Sequence, residues 1–120
     1  MFDHLGFNVA DFDRSLVFYK AALEPLGGGV IGQGEGWAML GSPAGRLWIG
    51  AFGPPATPIH IALRAVDEAA VKAFYEAALG AGGRDNGGPG PRPHYGPGYY
   101  AAFVLDPDGH NVEAVFRAEG

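Results

Sequence analysis

Residues 59–83 read IHIALRAVDEAAVKAFYEAALGAGG, and residues 3–27 read DHLGFNVADFDRSLVFYKAALEPLG. At an offset of 56 residues His60 falls on His4, Asp67 on Asp11, Phe74-Tyr75 on Phe18-Tyr19, Ala78-Leu79 on Ala22-Leu23, and Gly83 on Gly27. One such match means little. A shared register over this many pairs reads as an internal duplication. Each copy opens with alternation and then changes period. In the first, Leu5, Phe7 and Val9 alternate with His4, Gly6 and Asn8, which predicts a strand. Asp11 or Asp13 then caps a helix running to about Leu26, with Leu16, Tyr19, Leu23 and Leu26 at helical spacing. Asp67 caps its equivalent.

Three strands follow each helix. In the first copy these are Val30-Ile31, Trp37–Leu40 and Arg46–Phe52. Gly32–Gly36 forms one hairpin turn and Ser42-Pro43-Ala44-Gly45 the next. The Pro-rich stretch Gly53–Pro58 is a linker. In the second copy a short strand near Gly83–Asn86 leads into a Gly/Pro-rich loop over residues 80–98. Loops of that length inside a small domain are functional or disordered. The stretch YYAAFVLDPDGHNVEAVF, residues 99–116, closes the chain as a hairpin around Asp106-Pro107-Asp108-Gly109. The expected fold is α+β. A single domain over residues 1–120 holds two βαβββ modules, about 1–55 and 56–120, forming a cupped mixed β-sheet with helices on its outer face.

The totals narrow the function. A chain of 120 residues with 48% hydrophobic and 18% charged residues suits one soluble domain with its own core. The net charge of −5, with scattered Lys and Arg, argues against nucleic acid as a partner. The sequence has no cysteine. That removes disulfides, thiolate metal sites and thiol nucleophiles, and it fits a cytoplasmic location. No apolar run is long enough to cross a membrane.

Strand parity gathers a site. His4 lies on the face opposite Leu5, Phe7 and Val9. His60 and Arg64 oppose Ile61 and Leu63. Glu113, a carboxylate within an apolar strand, opposes Val112, Ala114 and Phe116. An unpaired buried charge is costly, so Glu113 needs a partner. If the apolar faces pack on the helices, His4, His60 and Glu113 share the other side. Two imidazoles and a carboxylate from separate strands form a set that holds a divalent metal and leaves positions open. His110 reads as a surface residue following the turn.

These stretches resemble the vicinal-oxygen-chelate superfamily: glyoxalase I, bleomycin and fosfomycin resistance proteins, and extradiol dioxygenases. The resemblance rests on DHLGFNVADFDRSLVFY, on its repeat HIALRAVDEAAVKAFYEAALG, and on LDPDGHNVEAV. It implies paired βαβββ modules around one metal, with His4, His60 and Glu113 in the ligand positions. Glyoxalase-type members have a fourth ligand, a Glu on the last strand of the first module. Here that strand carries neither carboxylate nor histidine, and parity puts Trp48 in the place. The implied cofactor is a divalent metal: Fe, Zn, Ni, Mn or Co. The implied activity is that of a lyase, isomerase or dioxygenase acting on a small oxygenated molecule. His94 and Tyr95 are the candidate acid–base residues, and Asn8, Trp48, Arg64 and Tyr99 the candidate substrate contacts. The alternative is a sequestering protein that binds a small molecule without metal. A homodimer is expected, because a two-module fold leaves sheet edges to be paired.

Overall fold

Each helix starts at its aspartate. In the computed structural model, which describes residues 1–42 and 45–118, Asp11 Oδ1 accepts from Arg14 N–H at 3.2 Å and Asp67 Oδ1 from Ala70 N–H at 2.8 Å. Such caps satisfy amides that the first helical turn leaves free. They open α1 (Phe12–Leu23) and α2 (Glu68–Gly80). A 3-10 turn, Glu24–Leu26, extends α1 to the predicted end before Gly27.

The strands of the first module are β1 (His4–Asn8), β2 (Gly29–Gly34), β3 (Trp37–Ser42) and β4 (Gly45–Gly50). The second has β5 (His60–Arg64), β6 (Arg84–Asp85), β7 (Gly90–Pro91), β8 (Tyr99–Leu105) and β9 (Asn111–Arg117). Topology repeats with the sequence. β1 runs parallel to β4 in the order β1-β4-β3-β2, and β5 runs parallel to β9 in the order β5-β9-β8-β6, with β7 also on β8. The expected α+β class therefore holds, and within one chain its strands divide between two sheets. β1 and β5 are each an outer strand of their own sheet.

Two local expectations change. β2 continues through Gly32 to Gly34, where a turn was expected, and only the two residues after it make the bend. A strand is possible there because glycine leaves room for Trp37: a β-carbon at Gly34 would stand 2.4 Å from Trp37 Nε1. Of the expected turn Ser42–Gly45, Pro43 and Ala44 lie outside the described residues.

The helices bring the modules together. α1 packs on β3 and β4, α2 on β8 and β9, and the two helices on each other. The core between them holds Phe7, Phe18, Leu40, Ile49, Val71, Phe74, Val104 and Val112. Burying such side chains supplies most of the stability, about 1.5–3 kcal/mol each. No helix among the described residues is long and apolar enough to cross a membrane.

The Asp106–Gly109 turn forms as expected, with Gly109 at φ +89°. Its role is larger than that of a surface bend. Asp106 is buried; its Oδ1 accepts from Asp108 N–H (2.9 Å) and His110 N–H (2.8 Å), and its Oδ2 from the Tyr19 hydroxyl of the other module. Asp108 Oδ2 accepts from Ala10 N–H at 3.1 Å. His110 was expected at the surface and is instead fully buried. Its Nδ1 accepts from Ile59 N–H (3.0 Å), and its ring meets Phe7 edge-on at 4.8 Å. The turn is thus a peg set into the first module, which is why its polar residues are inside.

Burial, and then the Asp106 carboxylate, push the Tyr19 phenol far above its ordinary range. Below pH ~10 the phenol is protonated both folded and unfolded. Above it, the unfolded chain loses this proton and the folded one does not. Stability should therefore fall with rising alkaline pH, by about 1.4 kcal/mol per pH unit from this group. Urea melts from pH 9 to 11 should show this slope, and Tyr19→Phe should reduce it by one proton. An unchanged slope in the variant would contradict the assignment.

Candidate metal and substrate site

β9 places Glu113 between Ala62 of β5 and Phe103 of β8, with its side chain on the face away from the helices. The carboxylate is buried yet fully engaged. Oε1 stands 2.9 Å from His60 Nε2, and Oε2 accepts from the Tyr99 hydroxyl. The partner that the sequence required for Glu113 is thus a pair of side chains from the two flanking strands.

His60 is half-exposed. Its Nδ1 lies 3.1 Å from the Asn111 carbonyl oxygen. A carbonyl can only accept, so Nδ1 carries a hydrogen. In the neutral ring Nε2 is then a bare lone pair aimed at a carboxylate oxygen. That contact is attractive when a proton sits on Nε2 or when a cation is shared by the two atoms. Phe103 backs the imidazole, its ring 25° from parallel with centroids 6.3 Å apart, and the Arg92 guanidinium lies over the same Phe103 ring, 5.3 Å from its centroid.

The long loop folds toward this pair. Arg92 clips it by donating to the carbonyls of Gly88 (2.7 Å) and Gly90 (2.9 Å). A 3-10 turn, Pro93–Tyr95, then sets the His94 ring 4.1 Å from Tyr95, and Tyr95 edge-on to Tyr99 at 5.3 Å. Desolvation first, and then the bond to Glu113, raise the Tyr99 phenol to about 12, with the Arg117 charge opposing. Tyr99 therefore remains a hydrogen-bond donor at neutral pH.

The other sequence candidates lie elsewhere. His4 is on β1, half-exposed, with Nδ1 2.8 Å from Asp3 Oδ1; this bond holds Asp3 below the usual carboxylate range. With Asn8 and Trp48, His4 borders a cavity of about 580 Å³ on the first sheet. Arg64 opens on a groove of about 510 Å³ between the modules, with His4 and Arg46. Among the described residues no three His, Cys, Asp or Glu side chains meet within one chain as a metal-holding group. His4 does not join His60 and Glu113 because β1 and β5 belong to different sheets. Trp48 pairs with Gly6 as Glu113 pairs with Ala62, so the two occupy equivalent strand positions in the two modules. Phe103 and Asn111 were missed. The hairpin register around the 106–109 turn, counted outward, would have placed Phe103 opposite Glu113.

The sequence model of the Glyoxalase/Bleomycin resistance protein/Dioxygenase superfamily matches residues 1–114. The chain belongs to that superfamily. Among solved structures, a glyoxalase/bleomycin resistance protein from Albidiferax ferrireducens T118 is 32% identical with a TM-score of 0.86, over 97% of this chain and 98% of that one. Two more distant structures share the fold. One is the oxidase ChaP-H2, at 22% identity and TM-score 0.70 over 100% and 95% of the two chains. The other is the bleomycin resistance determinant encoded on the transposon Tn5, at 24% and 0.66 over 97% of each. No curated protein matches.

Proposed function

We propose that the protein is a metal-dependent enzyme acting on a small oxygenated molecule, in a site completed by a second copy of the chain. The His60–Glu113 pair carries this reading. Two donors about 2.1 Å from one ion and adjacent around it stand roughly 3 Å apart. The 2.9 Å between Nε2 and Oε1 fits that spacing. The Nδ1 hydrogen bond to Asn111 selects the tautomer that offers Nε2, as outer partners of metal-binding histidines do. His4 is the proposed third ligand. It sits on an outer strand, as His60 does, at the position equivalent to His60 in the duplication. Exposed Met1, Phe2 and Leu5 surround it. A symmetric homodimer with β1 of one copy beside β5 of the other would cover these side chains and bring His4 to the pair.

A divalent metal held there, from among Fe, Zn, Ni, Mn and Co, would supply a Lewis acid for neighbouring oxygens of the substrate. The chain's own residues set the conditions. Tyr99 fixes one Glu113 oxygen and leaves Oε1 as the donor. Tyr95, edge-on to Tyr99, and His94 beside it would move a proton if the substrate lies over the pair. Arg64 has no ion pair among the described residues and can meet a substrate carboxylate.

Protein purified without chelator should carry about one divalent metal per chain. Elemental analysis with none present, and none taken up from the five metals, would sink the reading. The reaction is then decided by binding a catechol or a 2-oxo, hydroxy-bearing compound anaerobically and admitting oxygen. Oxygen uptake with cleavage marks a dioxygenase; turnover without oxygen marks a lyase or isomerase. The exposed aromatic surface around Trp48 and Phe52 favours the second reading, a sequestering protein. Equal binding by the metal-free Glu113→Ala chain with no turnover would establish that one instead.

A further inference from the structure

His60 is the first residue of β5, and its pairing with Asn111 is the first rung between β5 and β9. The end of a strand is where a ladder opens most easily. The linker precedes it, and Pro58 has no N–H to give. Continued one step back, the parallel ladder would take the Ile59 amide to the Gly109 carbonyl. The turn carries the chain off that line: Gly109 stands at φ +89°, with its own N–H on the Asp106 carbonyl at 3.0 Å. The His110 imidazole supplies the missing acceptor. Ile59 N–H donates to its Nδ1 at 3.0 Å, and the Ile59 carbonyl accepts from Asn111 N–H at 2.9 Å. Ile59 is thus tied at both polar groups, directly before the residue whose Nδ1 lies on the Asn111 carbonyl.

The imidazole is itself fixed. It is fully buried and edge-on to Phe7, and the His110 N–H is held by Asp106 Oδ1. Since Nδ1 accepts, the hydrogen of the neutral ring is on Nε2, where it meets no acceptor among the described residues. A buried donor left so is costly, and an apolar ring at this position would avoid the cost. What an apolar ring could not do is hold Ile59. We propose that His110 is a positioning residue for His60: from inside the first module it anchors the Ile59 amide, and so fixes the start of the strand that aims Nε2 at Glu113. This rests on the metal reading of His60 and Glu113, and it adds a residue that touches neither metal nor substrate.

The test compares His110→Phe, His110→Asn and Tyr19→Phe in two measurements. The first needs no metal: nuclear cross-relaxation between the His60 and Phe103 rings, whose centroids are 6.3 Å apart, in the chelator-treated protein. The second is affinity for zinc alone. His110→Phe should lose the cross-peak and bind zinc at least about tenfold more weakly. Phe keeps a ring against Phe7 and removes the orphan donor, so this loss should come without a matching fall in melting temperature. His110→Asn, whose Oδ1 stands where Nδ1 stood, should keep both cross-peak and affinity. Tyr19→Phe loosens the same peg but leaves Ile59 its acceptor, and should keep both as well. Should His110→Phe fail to fold, Ile59→Pro removes the same bond from its donor end and should give the same two losses. A cross-peak or a zinc affinity unchanged by loss of the bond would overturn the proposal. So would an Asn or Tyr19→Phe variant that loses as much as His110→Phe. If the unmodified chain takes no zinc, the metal reading fails, and the cross-peak alone decides whether His110 positions His60.

Discussion

Chains carrying His4→Ala and chains carrying Glu113→Ala should each fail to hold metal, and a co-refolded mixture of the two should regain it. The expected loss for either variant alone is at least about 100-fold in affinity, as removal of one of three ligands leaves an incomplete set. The recovery follows from the position of the two residues in different sheets. If each site takes His4 from one copy and His60 with Glu113 from the other, a mixed dimer has one site with both mutations and one with neither. Metal content should then approach one ion per mixed dimer. If all three ligands came from one chain, no dimer in the mixture would contain an intact site. No recovery in a mixture shown by mass to contain mixed dimers would refute the shared site. A monomer mass at tens of micromolar would refute it more directly.

The second large effect concerns stability. Asp106→Ala should cost about 3–5 kcal/mol and lower the midpoint of thermal unfolding by more than ~10 °C. The substitution strands three donors inside the protein: the Tyr19 hydroxyl and the amides of Asp108 and His110. It also loosens the peg that ties the second module to the first, because Asp108 holds Ala10 from the same turn. Tyr19→Phe removes one of these bonds and leaves the two amides paired, so its cost should be nearer 1–2 kcal/mol. Thermal melts of both variants at pH 7 measure the difference. Asp106→Ala melting within a few degrees of the unmodified protein would show that the turn is no more than a surface bend.

The alternation around His4 and His60, the aspartate caps and the common offset of 56 residues were enough to define two βαβββ modules, because they are local patterns of strand and helix period. Strand parity put Glu113 and His60 on one face, and Trp48 in the place equivalent to Glu113, since a strand's side chains alternate whatever surrounds it. Parity says nothing of which sheets lie side by side. Only the packing of α1 on α2 decided that β1 and β5 end separate sheets, and so that His4 stands apart from His60 within one chain. The same packing buried His110 and Asp106, polar residues of a turn whose sequence reads as solvent-facing, because the turn meets the other module rather than water. The contact of Trp48 with Gly6 and Gly50, glycines 44 residues apart in the chain, likewise arises only when β1 pairs with β4 in register.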